Sequence, residues 1–221
     1  MINAIVFDLD GLIVDTERTS LESWEEAYRQ AGFELPLDLW QTTIGTWGAA
    51  FDPVVDLGQR RGRPLSAEEI AARRDREWEL AAELPMMPGV AEHLDAARSL
   101  GLSVGLASSS SRRWVRGQIE RLGIAERFEC VCTRDDAPQA KPDPSVYFRT
   151  LLCLGVDGTE AIAYEDSNFG LQAAKGAGLR CVVVPGPLTA SSDFSLADVI
   201  VPSLADVDPQ TLWNFIDAEY A

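Results

Sequence analysis

The residues with the most chemical content stand near the start of the chain, where Ala4-Ile5-Val6-Phe7 runs into Asp8, Leu9, Asp10 and Gly11. The four apolar residues are too few and too β-branched for a helix and read as a buried strand of a parallel sheet. Two carboxylates at spacing two then follow the strand's carboxyl end, the edge at which open α/β sheets hold their ligands. One is placed to act as a nucleophile or metal ligand, the other to move a proton. The plain alternative is a strand that turns into solvent through Asp-Gly.

Three further stretches argue against that alternative. Ser108-Ser109-Ser110-Ser111 follows an apolar strand pattern and precedes a helical one, so hydroxyls and free amides face an anion with a helix dipole behind them. In Lys141-Pro142-Asp143-Pro144 the two prolines stiffen the backbone and Asp143 can cap the next helix, which pins Lys141 where it can neutralise a phosphoryl group. Glu165-Asp166-Ser167 closes another apolar run. Together with Asp8 it brings several carboxylates to one crevice, and like charges packed so closely repel unless a cation lies among them. Hard oxygen ligands without histidine or cysteine point to Mg²⁺. The set predicts phosphoryl transfer through an aspartyl-phosphate on Asp8. Asp10 would protonate the leaving oxygen and then activate the attacking water.

The elements that must position these groups can be read from periodicity. Strand patterns at 4–7, 103–107, about 128–133, 161–164, 181–185 and 199–201 alternate with helical ones at about 90–100, 112–122, 144–154, 169–177 and 209–220. That alternation predicts a Rossmann-like, three-layer α/β core with a mostly parallel sheet. Residues 16–86 break it. Leu21, Trp24, Ala27, Tyr28 and Ala31 recur at helical spacing up to Gly32, and Ser66 with Glu69 forms a capping box. The expected organisation is a core of 1–15 and 87–221 with an inserted all-helical domain of 16–86, hinged near 12–17 and 84–89. Trp24, Trp40, Trp47 and Trp78 are expected to pack its interior.

Bulk properties narrow the partners. With 221 residues, 46% hydrophobic and 24% charged, the chain has the composition of an ordinary soluble globular protein. No apolar window approaches the roughly 18 residues of a membrane span, and the first strand begins too early for a signal peptide. A net charge of −16 argues against nucleic acid and anionic membranes. Cys130, Cys132, Cys153 and Cys181 sit in apolar runs and are expected to be reduced core thiols of a cytoplasmic protein. His93, the sole histidine, is expected to be structural, at the surface or half-buried. A monomer or weak homodimer is expected.

In their order along the chain, Asp8/Asp10, Ser108, Lys141 and Glu165/Asp166 resemble the motifs of the haloacid dehalogenase-like (HAD) superfamily, and the helical insertion resembles its subclass I (C1) cap. Asp-Leu-Asp-Gly-Leu-Ile-Val-Asp-Thr-Glu, Lys-Pro-Asp-Pro and Glu-Asp-Ser-Asn-Phe-Gly are similar to the branch of β-phosphoglucomutase and many sugar-phosphate phosphatases. The resemblance implies Asp8 as nucleophile and Asp10 as acid/base. It also implies Asp8, Asp166, the Asp10 carbonyl and Glu165 around Mg²⁺, with Ser108, Ser109, Lys141 and Gly11 about the phosphate. Dehalogenases and phosphonate-cleaving members lack an acid at the position of Asp10. Mutases of the branch carry a His near Ser20 and an Arg near Gly48, so hydrolysis of a small phosphorylated metabolite is expected over mutase chemistry. Arg18, Thr46, Trp47 and Arg76 are the cap residues expected to set specificity.

Overall fold

β1 (Ala4–Phe7) can only be a central strand, because all four of its side chains are apolar and all four are buried. In the computed structural model, which describes residues 1–219, it lies between β2 (Ser103–Ala107) and β4 (Ala161–Glu165). Beyond them lie β3 (Cys130–Cys132) on one side and β5 (Arg180–Val183) with β6 (Val199–Ile200) on the other, in the order β3-β2-β1-β4-β5-β6. Every pairing is parallel, so the sheet goes further than the mostly parallel one expected.

Alternate residues of each strand feed two apolar layers. Ile5, Phe7, Val104, Leu106, Ile162 and Tyr164 pack on one face against α5 (Val90–Ser99), α6 (Arg112–Arg121) and α9 (Pro209–Glu219). Ala4, Val6, Ala107, Ala163 and Cys181 pack on the other against α7 (Ser145–Leu154) and α8 (Asn168–Gly176). The period of two in the strands thus makes the three layers. The expected last helix agrees through Glu219, and Tyr220 lies outside the described residues.

Between β1 and α5 the chain forms α1 (Thr16–Gln30), α2 (Leu37–Trp40), α3 (Pro53–Arg61) and α4 (Ala67–Ala82). α1 stops ahead of Gly32, whose φ of +83° only glycine adopts freely. The Ser66–Glu69 capping box opens α4 as the spacing predicted. Trp24, Tyr28, Leu35, Trp40 and Leu57 make a third apolar cluster separate from the two on the sheet. The amide of Met87 donates to the carbonyl of Ile13 (2.8 Å), so the outgoing and returning connections are tied where they meet the sheet.

Three sequence expectations are corrected. Cys130 and Cys153 form a disulfide rather than two thiols, because α7 packs on β3 and brings their Cα atoms to 6.1 Å, within the usual span of such a bond. Cys153 is exposed, while Cys132 and Cys181 remain buried thiols. His93 is fully buried instead of half-buried, its ring held between the Tyr164 hydroxyl (2.8 Å) and the Leu204 carbonyl (3.2 Å). Of the four tryptophans only Trp24 and Trp40 belong to the helical cluster. Trp47 is exposed, and Trp78 turns outward to meet Trp114 of α6.

Candidate active site

Strand register gathers the acidic groups. β1 and β4 pair in step, Phe7 beside Tyr164, so the residues that follow them, Asp8 and Glu165-Asp166, reach the same edge. The chain leaves β1 for β2 on one side and later returns to β4 on the other, which opens a crevice between strand ends. One carboxylate oxygen from each of Asp8, Glu165 and Asp166 lies within 4.8 Å of the other two, and all three side chains are buried.

Lys141, 2% exposed, enters this group from the loop ahead of α7. Its ammonium donates to Asp8 Oδ1 (2.6 Å), Glu165 Oε1 (2.6 Å) and the Ala107 carbonyl (3.0 Å). Asp143 accepts from the Ser145 amide (2.9 Å) ahead of α7, but Pro144 holds the cap position of that helix, so Asp143 is not the cap residue expected. The Tyr147 hydroxyl, which nothing in the sequence marked, donates to the same Glu165 oxygen.

Asp10 points elsewhere. Its Oδ2 accepts from Ser110 (2.7 Å) and Ser108 (3.3 Å), and its Oδ1 from Thr16 (2.5 Å) and the indole of Trp114 (2.7 Å). Its carboxylate is therefore not in the acidic triad. The Ser109 hydroxyl donates to the Gly45 carbonyl (3.1 Å) in the helical block. The Gly11 amide is taken by the Val14 carbonyl (2.8 Å). Gly11 itself, at φ +85°, leaves room for the Asp166 carboxylate, with which a Cβ would collide.

Electrostatics set the protonation of the cluster. Burial pushes Asp8 up to about 8, Lys141 opposing and Glu165 and Asp10 adding to the rise. Burial, then the charges of Asp8, Glu17 and Glu165, hold Asp166 well above the ordinary carboxyl range. Burial lowers Lys141, yet Asp8 and Glu165 outweigh it and keep the ammonium charged. Asp166 Oδ1 is buried with no hydrogen-bond partner. An acceptor-only oxygen stranded beside two more carboxylates suits a hard divalent cation, so the donor set fits Mg²⁺.

A cleft of about 580 Å³ between the sheet edge and the helical block is lined by Asp10, Ser20, Thr46, Trp47, Arg73 and Arg113 among others. Thr46 and Trp47, two of the four cap residues named for specificity, line it. Arg18 and Arg76 are absent from this lining. Arg76 is bound to Glu79 (3.3 Å), three residues on in the same helix, and to Glu26 (2.9 Å) of α1, a partner that no local spacing revealed. Ser20 and Gly48 line the cleft with no charge to offer.

The family model of the haloacid dehalogenase-like hydrolases matches residues 5–184. The chain belongs to that family. Among its full-length relatives is the YhcW protein of Bacillus subtilis (strain 168), 39% identical over 99% of this chain and 100% of its own. Hexitol phosphatase B of Escherichia coli (strain K12) is 33% identical over 95% of this chain and 96% of its own. Among solved structures, CbbY of Rhodobacter sphaeroides in complex with phosphate superimposes with a TM-score of 0.77 at 31% identity, covering 93% of this chain and 96% of that one. A β-phosphoglucomutase of Clostridium difficile, with a TM-score of 0.80 at 21% identity, shares the fold. Membership in this hydrolase family agrees with what the motifs implied.

Glu17 supplies a test that needs no substrate. Burial, then the neighbouring Asp10 charge, pushes it up to about 8, while its carboxylate accepts from the Gly45 amide (3.3 Å). An acid raised in the folded state holds a proton there that the unfolded chain has already lost. Its contribution is therefore full below the unfolded value of 4.5 and is lost as pH rises towards about 8. In chelator, stability is expected to fall across that window. Glu17→Gln is expected to flatten the slope by up to about 1.4 kcal/mol per pH unit. Urea melts from pH 5 to 8 read it, and identical slopes in both proteins would contradict it.

Proposed function

We propose that the protein is a Mg²⁺-dependent phosphatase of small phosphorylated sugars or polyols, working through a phospho-Asp8 intermediate. The observation that carries this reading is the juxtaposition of two differently held carboxylates. Asp8 lies against the Lys141 ammonium, and Asp10, two residues on, is held among the hydroxyls of Ser108, Ser110 and Thr16. One is placed to form a bond to phosphorus and the other to move protons.

In the first half-reaction an Asp8 oxygen bonds to phosphorus as the ester P–O bond breaks, and the departing oxygen takes a proton from Asp10. In the second, Asp10 takes a proton from water, whose oxygen bonds to phosphorus while the Asp8–phosphorus linkage breaks and phosphate leaves. Lys141 and the Ser108 hydroxyl offset charge on the phosphoryl oxygens. Asp8, Asp166, Glu165 and the Asp10 carbonyl would hold Mg²⁺, which supplies charge neutralisation to the transferring group. Residues 16–86 act as a cap over a core of 1–15 and 87–221, closing about the two connections and excluding water. The separate apolar cluster of the helical block and the contacts of its Gly45-Thr46 loop with Ser109 and Lys141 support that division.

The substrate class is supported by the cleft, where Trp47 offers an exposed ring and Arg113 an exposed charge. It is also supported by the relative named hexitol phosphatase B and by a CbbY structure in complex with xylulose-1,5-bisphosphate, 30% identical to this chain. A phosphate-release screen of hexitol, sugar and nucleotide monophosphates with Mg²⁺ tests the reading. Release is expected from sugar or polyol esters and none after chelation. Isomerisation of β-glucose 1-phosphate with a bisphosphate activator and no phosphate release would instead establish a mutase.

A further inference from the structure

We propose that Trp78 is a positioning residue that seats the helical block on the core. Its ring, lodged in the notch that Gly117 leaves in α6, sets the angle at which the block meets the cleft, and so how readily the cleft closes on a substrate; this rests on the phosphatase reading above. The starting observation is a glycine in the interior of α6, where only proline is less favourable. Its backbone is ordinary helix, so conformation does not call for glycine there. Space does. A Cβ at 117 would stand 2.4 Å from Cη2 and 2.9 Å from Cζ3 of Trp78, a residue of α4. The ring carried by one helix lies directly on the backbone of the other.

The flanking residues extend this contact into a seam. Trp114, three residues before Gly117 and on the same helix face, meets Trp78 edge-on with ring centroids 4.5 Å apart. Its own indole N–H donates to Asp10 Oδ1 (2.7 Å), which brings the seam to the edge of the reacting centre. Arg121, four residues after Gly117, is braced by the Gln118 side chain (2.9 Å) and donates to the carbonyls of Leu84 (2.7 Å) and Ala82 (3.4 Å). Those carbonyls stand where α4 ends and the chain turns back to the core. Positions 114, 117 and 121 of α6 thus receive the end of α4 along one line.

Elsewhere the block meets the core through hydrogen bonds of a loop: the Ser109 hydroxyl donates to the Gly45 carbonyl (3.1 Å), and Thr46 to the Lys141 carbonyl. Water can replace such bonds as the block swings away. A ring packed on backbone has no such substitute. The seam also adjoins the returning connection, so it is suited to be the pivot, with the Gly45-Thr46 loop as the edge that moves. Gly117 itself does not line the cleft, so a change there reaches a bound ester only through the seating of the block.

Gly117→Ala tests this, because helix propensity and the seat predict opposite results. Propensity alone gives a firmer α6 and unchanged kinetics. An unseated block closes less often on its own, so KM rises, while saturating substrate draws it shut and kcat recovers. With p-nitrophenyl phosphate, Gly117→Ala is expected to raise KM about tenfold and leave kcat within about twofold. In a Trp78→Phe background, whose ring lacks the colliding edge, the same change is expected to raise KM by less than about twofold. Equal rises in both backgrounds, no rise in either, or a loss confined to kcat, as from a misfolded fraction, would overturn the seat. The contact is also read without turnover, by the exciton couplet that the Trp78 and Trp114 rings give in circular dichroism. The couplet is expected to vanish in Trp78→Phe and shrink in Gly117→Ala, and an undiminished one in either would overturn the seat whatever the activity. A wild-type protein that releases phosphate from no ester would remove the phosphatase reading instead, and the couplet alone would then decide the seat.

Discussion

Asp8→Asn is expected to abolish phosphate release while leaving the protein at least as stable as the wild type. The two halves have different causes. An amide in place of the carboxylate cannot form the phospho-enzyme, so kcat is expected to fall by at least about 10⁴-fold, equivalent to about 5.5 kcal/mol of barrier. Stability does not follow, because Asp8 is a cost to the metal-free fold. Its charge is buried beside Glu165 and Asp166, and burial already pushes it up to about 8. An uncharged isostere relieves that repulsion and leaves Lys141 paired with Glu165 (2.6 Å). Phosphate release and thermal melts on the same preparation check both halves. Activity within tenfold of wild type would remove Asp8 as nucleophile. A lost fold would mean that its charge is structural.

Lys141→Met is expected to do the reverse and damage fold and activity together. The ammonium is the cation recorded against Asp8 and Glu165, and its side chain is 1% exposed. Methionine of similar length leaves two buried carboxylates facing each other, a loss of about 3–5 kcal/mol when both are ionised. The sign with pH follows. At pH 5 Asp8, which burial pushes up to about 8, can keep its proton and the loss is small; it grows as pH rises towards 8. Mg²⁺ should restore more stability to the variant than to the wild type, since it meets more uncompensated charge. Urea midpoints at both pH values, with and without Mg²⁺, read this. A midpoint at pH 8 equal to wild type would contradict it.

Much of the site could be read from the chain because its chemistry lies immediately after strands. Asp8, Ser108 and Glu165-Asp166 each follow or close a short apolar run, and a parallel sheet brings such positions to one edge whatever the crossovers do. Lys141 was legible through its flanking prolines. What escaped depends on reach across elements. Tyr147 sits two residues into α7 and looks like an ordinary apolar-face residue until Glu165 is opposite it. Trp114 reads as part of an amphipathic helix, and its indole meets Asp10 over a separation of 104 residues. Arg76 looked like a substrate ligand because its partner, Glu26, lies 50 residues away on α1. The Cys130–Cys153 bond was missed for a related reason: apolar neighbours argued for burial, and only the packing of α7 on β3 shows that Cys153 faces outward.

The position of β1 also bears on how the chain is made. It is made well before its hydrogen-bonding partners, β2 and β4: Ala4 pairs with Ser103 and Ala161. At about 5–20 residues per second, roughly 10–30 s pass between the emergence of β1 and that of β4. During that interval Ala4-Ile5-Val6-Phe7 is an apolar strand with both edges open, the kind of segment that adds to neighbouring chains. The helices of residues 16–82 make local contacts and can form while it waits. A strand that sits at the centre of the sheet but is made before both its neighbours makes closure of that sheet a late event, one that waits for β4.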